Sequence, residues 1–283
     1  MSNDPTESGT SREVALASAT VRYHDLGEGH PIVLLHGSGP GATAWSNFRP
    51  NIPELACRFR VLALDLPGWG GSQAVPMAER DHPRTVVEFL DALGIEKAAL
   101  VGNSMGGVVS LAVAALHPDR VSHLITMGPA SKPRPGLFGP GGGPSEGMKI
   151  LFAGYQDPSQ ETMRRLVDIM SYSSGDAADG IAAERAAAAQ GRPDHLKHFL
   201  EGLATGSTPI TRWATPQELM GITAPSLLIH GRDDRVVHFE ASLELVSLIP
   251  DSRLVLFNRC GHWAQLEHAA EFNRLVTDFV SNN

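Results

Sequence analysis

The stretch that decides the fold is Gly102-Asn103-Ser104-Met105-Gly106, which has the pattern G-x-S-x-G. An apolar run, Ala98-Ala99-Leu100-Val101, precedes it, and residues 107–116 behind it carry apolar side chains at helical spacing. A strand that runs through G-x-S-x-G into a helix forms a nucleophile elbow, a turn so tight that the residues flanking the serine must have almost no side chain. The pattern therefore predicts that Ser104 is a nucleophile exposed at the carboxyl edge of a sheet.

A serine hydroxyl needs a general base, and the base needs an acidic partner to orient it. In folds that contain this elbow, the partners follow the serine in the order Asp or Glu, then His. Asp234 and His262 each come shortly after a short apolar run. We predict that Ser104, Asp234 and His262 form a catalytic triad, in which His262 takes the serine proton and Asp234 fixes the imidazole tautomer. Asp233 is the alternative orienting residue, but the spacing Gly231-x-x-Asp234 favours Asp234.

Short apolar runs alternate along the chain with longer segments that carry apolar residues at helical spacing. The runs predict buried parallel strands at residues 31–36, 60–65, 98–101, 121–127, 226–230 and 253–257. The longer segments predict helices at residues 80–93, 239–248 and 268–280. Such alternation is typical of an α/β protein. Together with the elbow it predicts the α/β-hydrolase fold, a mostly parallel central sheet with helices on both faces.

One region breaks this alternation. It begins with a stretch rich in proline and glycine and continues without a strand signal through three segments of helical spacing, residues 146–155, 160–172 and 179–190. We predict a helical cap, or lid, at residues 133–209, inserted between strands 6 and 7 of a core formed by residues 15–132 and 210–283. The proline- and glycine-rich stretch is either a flexible loop or the hinge of this cap. Residues 1–14 are predicted to be a flexible N-terminal tail.

Composition excludes several classes of function. The 283 residues carry 23 basic and 31 acidic side chains, a net charge of -8, with no run of lysine or arginine that could follow a phosphate backbone, so nucleic acid is not an expected partner. Two cysteines, Cys57 and Cys260, are too few for a disulfide framework or a metal cluster, and no metal is expected. The polar start lacks the features of a secretory signal, and no stretch approaches the roughly 18 apolar residues of a membrane helix. We therefore expect a cytoplasmic protein without a membrane partner.

The loop Gly37–Ala42 permits two interpretations. Its sequence fits G-x-G-x-x-A after a strand, with an acidic residue further on, which is close to a dinucleotide-binding fingerprint. Pro40, however, removes an N–H group that a pyrophosphate would need, so we reject this interpretation and expect no organic cofactor. We predict instead that the amides of Ser38 and Met105 form an oxyanion hole. His36, directly before the loop, is predicted to be structural rather than catalytic.

Several of these motifs are more specific than G-x-S-x-G alone. Through them the chain resembles the meta-cleavage product hydrolases, which cut carbon–carbon bonds in ring-fission products of catechols. The resemblance rests on His36–Ala42 with Trp45–Asn47, Pro67–Gly70, Gly102–Gly107, Glu146–Lys149, Asp194–Leu196, Gly231–Asp234 and Cys260–His268. It implies a small-molecule substrate of the 2-hydroxy-6-oxohexa-2,4-dienoate type, no metal or organic cofactor, and a homo-oligomer.

The same resemblance implies roles for residues around the nucleophile. Arg185 looks like the family's arginine that pairs with the dienoate carboxylate, a task that suits a planar bidentate donor; the alternative is a solvated charge on a helix. Asn47 and Asn103 match polar ligands beside the nucleophile, although either could be only a turn residue. Trp263 matches a pocket aromatic. Met170 is expected to face the C6 substituent, where some relatives carry bulky aromatic residues.

The implied reaction begins with ketonisation of the dienol, in which His262 delivers a proton to C5. Ser104 then attacks the C6 ketone or activates water, and the C5–C6 bond breaks to give 2-hydroxypenta-2,4-dienoate and a carboxylic acid. Two alternatives remain open at this point: a carboxylesterase or thioesterase with the same triad, and a ligand receptor built on the same fold. Arg185 distinguishes them, because a dienoate carboxylate needs a cation and a neutral ester does not.

Overall fold

Eight strands form one sheet at the centre of the computed structural model, which describes residues 5–130, 143–210 and 212–283. The strands are β1 (Ser11–Ala15), β2 (Thr20–Leu26), β3 (Pro31–Leu35), β4 (Arg60–Leu64), β5 (Ala98–Asn103), β6 (Val121–Met127), β7 (Ser226–Gly231) and β8 (Ser252–Phe257). Their order across the sheet is β1-β2-β4-β3-β5-β6-β7-β8. β2 is antiparallel to both of its neighbours, and the remaining pairs are parallel. The predicted α/β-hydrolase fold is confirmed.

Helices cover both faces of this sheet. They are α1 (Glu7–Thr10), α2 (Ala44–Phe48), α3 (Ile52–Ala56), α4 (His82–Ala92), α5 (Met105–Leu116), α6 (Glu146–Gln156), α7 (Gln160–Met170), α8 (Ala178–Gln190), α9 (Pro193–Ala204), α10 (Pro216–Met220), α11 (Glu240–Leu248), α12 (Ala264–Glu267) and α13 (Ala269–Asn282). Along β3, Ile32 and Leu34 pack against α2, α3 and α13, whereas Val33 and Leu35 pack into the cluster that contains α4 and α5. Because both faces are buried, the strand must be apolar at every position, which explains the uninterrupted apolar runs.

The cap consists of helices α6 to α9, which lie between β6 and β7 as predicted. The three predicted cap helices correspond to α6, α7 and α8. Helix α9 was not predicted. It begins at Pro193, and proline is favourable there because the first N–H group of a helix has no intrahelical partner to lose. The predicted start of the cap at residues 133–142 lies outside the described residues.

The predicted flexible tail is wrong at residues 7–14, which form α1 and most of β1. Residues Ser11–Ala15 form β1, which pairs with β2 in a regular antiparallel register from Ser11 opposite His24 to Ala15 opposite Thr20. Thr10 is buried, and its Oγ1 lies 2.9 Å from His24 Nδ1. The segment is an edge strand with partly exposed side chains, so it contains no apolar run that could reveal it in the sequence.

The parallel strands bring distant parts of the chain to one place. β3, β5, β7 and β8 run in the same direction, so the loops that follow them meet at one edge of the sheet. The loop Gly37–Ala42 follows β3, Ser104 follows β5, Asp234 follows β7 and His262 follows β8.

Among the described residues, no helix combines the length and apolarity that crossing a bilayer requires.

The packing of Gly106 generates a stability prediction. A Cβ at this position would lie 2.1 Å from the carbonyl oxygen of Leu35, which is fixed in the central strand β3. We expect Gly106→Ala to lower the free energy of unfolding by about 3 kcal/mol, measured by urea denaturation. Gly180→Ala is the control, because no atom other than those of the neighbouring helix backbone lies within 4 Å of a Cβ added at this exposed glycine of α8, and we expect this variant to be more stable than the wild type by up to about 1 kcal/mol. Equal stabilities of the two variants would contradict the prediction.

Candidate active site

Ser104 occupies a strained turn between β5 and α5. Its φ is 52° and its ψ is -115°, a conformation that a non-glycine residue adopts only when its surroundings enforce it. The turn is enforced by close packing on both sides, since a Cβ at Gly102 would lie 2.2 Å from the carbonyl oxygen of Gly106. The Ser104 amide also donates to the carbonyl of Met127 at 2.8 Å. The structure therefore has the elbow geometry that the sequence pattern predicted.

Asp234 and His262 form a buried pair next to this elbow. His262 Nδ1 lies 2.7 Å from Asp234 Oδ2, and Asp234 Oδ1 accepts hydrogen bonds from the amides of Val236 at 2.8 Å and Val237 at 2.9 Å. Burial alone would raise the pKa of Asp234, but the nearby histidine and the hydrogen bonds outweigh burial and lower that pKa below its ordinary value. An ionised Asp234 keeps the His262 proton on Nδ1 and leaves Nε2 free to act as a base.

The alternative acid, Asp233, points elsewhere. Its Oδ2 accepts a 3.4 Å hydrogen bond from the amide of Cys260, and its Oδ1 lies 3.7 Å from Arg232. It therefore braces the loop that carries the histidine, while Asp234 is the carboxylate that contacts His262. The choice that spacing favoured agrees with this geometry.

His230 is a neighbour of the pair that the sequence analysis missed. This fully buried residue at the end of β7 has Nε2 at 2.9 Å from the carbonyl of Val237 and at 3.3 Å from Asp234 Oδ2. Its Nδ1 lies 2.7 Å from the hydroxyl of Ser242. A proton on Nε2 can be shared between the carbonyl and the carboxylate, while Nδ1 accepts from the serine. The only signal in the sequence was a histidine four positions before the acid.

The loop after β3 lies directly against the nucleophile. A Cβ at Gly37 would lie 3.1 Å from Ser104 Cβ and 3.0 Å from Asn103 Oδ1. Met105 is the first residue of α5, so its amide belongs to the first turn, where N–H groups have no intrahelical acceptor. Ser38 directly follows Gly37. The two amides predicted to stabilise an oxyanion therefore belong to segments that meet at Ser104.

The two asparagines differ in what they can offer a ligand. Asn103 Nδ2 donates to the carbonyls of Met127 and His262, both at 3.2 Å, and its buried Oδ1 has no hydrogen-bond partner within the described ranges. Asn47 Oδ1 accepts from the amide of Gly37 at 3.5 Å and from Gln265 Nε2 at 3.4 Å. Asn103 thus keeps an acceptor free beside Ser104, whereas the side-chain oxygen of Asn47 accepts from the backbone of the loop Gly37–Ala42.

Arg185 reaches into the site from cap helix α8. It is 5% exposed, its Cζ lies 5.4 Å above the ring of Trp263, and its Nη2 donates to the carbonyl of Pro40 at 3.3 Å. Its Nε has no hydrogen-bond partner, and no acidic partner is found for it in the described parts of the chain. Burial lowers the pKa of Arg185 to about 10, so it is still a cation at neutral pH. The alternative of a solvated helix charge is therefore wrong.

The remaining predicted residues connect the cap to the histidine loop. Met170, the last residue of α7, is buried, and its carbonyl accepts the His262 amide at 2.7 Å. Trp263 is 4% exposed and precedes α12. Met170 and Trp263 therefore lie where the cap contacts the segment that carries His262. Within the described ranges, no group of three or more His, Cys, Asp or Glu side chains could hold a metal ion.

The chain is similar to known proteins over nearly its whole length. Residues 32–275 match the model of the Alpha/beta hydrolase family. A 2-hydroxy-6-oxo-6-phenylhexa-2,4-dienoate hydrolase of Burkholderia cepacia is 42% identical over 96% of this chain and 95% of that protein. A 2-hydroxy-6-oxononadienedioate/2-hydroxy-6-oxononatrienedioate hydrolase of Cupriavidus pinatubonensis is 41% identical over 98% of this chain and 97% of that protein. The solved meta-cleavage product hydrolase of Pseudomonas fluorescens IP01, a mutant complexed with acetates, has a TM-score of 0.84 at 33% identity and covers 95% of this chain and 97% of its own.

His36 stabilises, as a neutral residue, the base of the loop Gly37–Ala42, which is called the oxyanion loop below after the role predicted for the Ser38 amide. Its Nδ1 lies 2.8 Å from the carbonyl of Gly37, and its Nε2 accepts the amide of Leu66 at 3.0 Å, so the proton must be on Nδ1. A second proton on Nε2 would face the Leu66 N–H group. Burial lowers the pKa of His36 from 6.5 to about 4.

A pH dependence of stability follows from His36. Between pH 6.5 and pH 4 the unfolded chain binds a proton at this residue and the folded chain does not, so the stability it contributes is complete above pH 6.5 and declines as the pH falls towards 4. We expect the difference in free energy of unfolding between wild type and His36→Gln to shrink by about 2 kcal/mol from pH 7 to pH 5. Urea denaturation at both pH values measures it, and a constant difference would show that folding does not lower the pKa of His36.

Proposed function

Because the chain belongs to the α/β hydrolase family and, within it, to the meta-cleavage product hydrolases, we propose that it hydrolyses the C5–C6 bond of a 2-hydroxy-6-oxohexa-2,4-dienoate. The products are 2-hydroxypenta-2,4-dienoate and a carboxylic acid. We also propose that it acts in the cytoplasm as a homo-oligomer, as the sequence analysis expected. Both the reaction and its substrate class are supported by the names and full-length similarity of the relatives.

The observation that carries this proposal is the buried guanidinium of Arg185, for which the described residues provide no acidic partner. A buried cation without a counter-ion costs several kcal/mol, so it is retained where a ligand supplies the negative charge. Arg185 lies between Trp263, the neighbour of His262, and Pro40 of the oxyanion loop. A carboxylate bound there would place the rest of a dienoate along the loop towards Ser104. A neutral ester gives no reason for such a cation.

The first chemical step proposed is ketonisation of the bound dienol. The carboxylate binds Arg185, and Oδ1 of Asn103, which has no partner among the described residues, accepts a hydrogen bond from the 2-hydroxyl group. His262 takes the 2-hydroxyl proton and returns it at C5, so that C5 becomes a methylene group and C2 a ketone. Asp234 stabilises the imidazolium that exists between these two transfers.

The second step is cleavage of the carbon–carbon bond. Ser104, or a water activated in its place, adds to the C6 ketone and gives its proton to His262. The amides of Ser38 and Met105 stabilise the resulting oxyanion, and each such donor is worth about 3 kcal/mol. When the tetrahedral centre collapses, the bonding electrons pass through C5 to the oxygen on C2, which takes the proton from His262. A serine ester, if formed, is hydrolysed by water. The substrate accepts its own electrons, so no cofactor is needed.

An experiment with dienolate absorbance tests the proposed reaction. We expect rapid bleaching of 2-hydroxy-6-oxo-dienoates that carry hydrogen, alkyl or phenyl at C6, and a loss of at least about 1,000-fold in rate with Ser104→Ala. p-Nitrophenyl acetate is the ester control. Ester turnover without any dienoate bleaching would instead identify an esterase, and inactivity on both would favour a ligand receptor.

A second variant tests the role of Arg185. We expect Arg185→Met to raise the KM for the dienoate about 100-fold, since a charge-assisted contact is lost, and to change turnover of p-nitrophenyl acetate less than about threefold. Thermal denaturation should show an unchanged or higher Tm, because an uncompensated buried cation has been removed. Arg165→Met, which changes an exposed arginine of α7, is the matched control and should change neither the KM for the dienoate nor the turnover of p-nitrophenyl acetate. Equal losses with both substrates would mean that Arg185 only supports the structure.

A further inference from the structure

Tyr155 connects the cap to the oxyanion loop through its hydroxyl group. It lies on cap helix α6 and is 3% exposed. Its hydroxyl oxygen accepts one hydrogen bond from the amide of Gly39 and another from Trp69 Nε1, each at 3.0 Å. Two N–H donors occupy both acceptor positions of the oxygen. The phenol therefore acts here as a hydrogen-bond acceptor that joins three separate segments of the chain.

The ring of Tyr155 is held firmly in place. It stacks on Phe199 of helix α9, with ring centroids 3.4 Å apart and planes inclined by 3°. Its other partner, Trp69, is covered by the guanidinium of Arg80, whose Cζ lies 4.8 Å from the indole centroid. Burial raises the pKa of Tyr155, so the hydroxyl group stays neutral and available in the same form across the working pH range. The hydroxyl oxygen of Tyr155 is therefore held in one position by the packing of its ring.

The loop that it contacts has little support of its own. Within Gly37–Ala42 one backbone hydrogen bond, from the amide of Ala42 to the carbonyl of Gly39 at 3.2 Å, is found among the described residues. The further contacts to its middle part come from the cap: Tyr155 at the Gly39 amide and Arg185 at the Pro40 carbonyl. Gly39 has a φ of +147°, which side-chain-bearing residues rarely adopt. Because a glycine backbone has more accessible conformations than that of other residues, a hydrogen bond to its amide restricts the loop more than the chain itself does.

Gly39 directly follows Ser38, whose amide is the oxyanion donor in the proposed function on which this inference rests. The carbonyl of Ser38 and the amide of Gly39 belong to one rigid peptide plane. Fixing the Gly39 amide therefore restricts rotation of the chain next to the Ser38 amide. An error of about 1 Å in the position of such a donor can cost about 100-fold in rate.

We propose that Tyr155 is a positioning residue. From the cap, its hydroxyl oxygen accepts a hydrogen bond from the Gly39 amide and thereby holds the oxyanion loop in its catalytic conformation. Tyr155 touches neither the substrate carboxylate nor the triad in this assignment, and it acts through Ser38. Its loss should consequently impair the chemical step rather than substrate binding, because Arg185 keeps its place.

Tyr155→Phe is the test, since phenylalanine preserves the stack on Phe199 and removes only the oxygen. We expect kcat to fall about 10- to 100-fold for both the dienoate and p-nitrophenyl acetate, while the KM for the dienoate changes less than about threefold. Hydrogen exchange of the peptide that covers residues 37–42 should become at least about tenfold faster. Tyr172→Phe, at an exposed tyrosine beside α7, is the matched control and should change none of these quantities.

Trp69→Phe separates positioning from simple attachment of the cap. This variant removes the second donor to Tyr155 but leaves the Gly39 bond, so we expect kcat and loop exchange close to wild type. Equal effects of Trp69→Phe and Tyr155→Phe, or an unchanged kcat in Tyr155→Phe, would overturn the proposal. Ester turnover and hydrogen exchange do not require dienoate cleavage, so they test Tyr155 even if the wild type fails to bleach the dienoate, which is the outcome that overturns the proposed reaction.

Discussion

The site depends on the parallel pairing of β5 with β3 on one side and β6 on the other. This pairing fixes Gly106 against the carbonyl of Leu35 and ties the Ser104 amide to Met127, so the elbow can persist in a strained backbone conformation. The same pairing continues through β7 and β8, which carry the acid and the histidine to the same edge. A shift of one strand would therefore separate the nucleophile from its base. The placement of Ser104, Asp234 and His262 at one edge is thus a consequence of strand direction and sheet register.

Charge is divided between the two parts of the molecule. In the core, Asp234 is surrounded by two amides and two histidines, which keeps its charge fixed and its lone pairs occupied. In the cap, Arg185 is a buried cation whose charge the described residues leave unbalanced. In the proposed function, the core therefore supplies acid–base chemistry and the cap recognises an anion. A substrate that satisfies both must carry a carboxylate at one end and an electrophilic carbon at the other.

The sequence predicted the parts of the site that depend on local pattern. Ser104, Asp234 and His262 each follow an apolar run, so the elbow motif and the order of the residues predicted that they lie at one edge of the sheet, and spacing favoured Asp234, the carboxylate that contacts His262, over Asp233. The sequence analysis missed strand β1, because an edge strand with half-exposed side chains contains no apolar run. The contacts of His230 and Tyr155 were missed for another reason, because they are tertiary contacts. Tyr155 is 116 residues from Gly39, whose amide donates a hydrogen bond to it. No local pattern encodes such a contact.

The oxyanion loop is the place where recognition and chemistry meet. Arg185 donates to the Pro40 carbonyl and Tyr155 accepts from the Gly39 amide, so two cap residues hold consecutive residues of one loop. Their contributions differ in kind. The guanidinium has unused donors that a carboxylate can engage, whereas the phenol oxygen has both acceptor positions filled before any ligand arrives. The loop is therefore held by Tyr155 whether or not the site is occupied, and donors that are fixed in advance need no reorganisation when charge develops in the transition state.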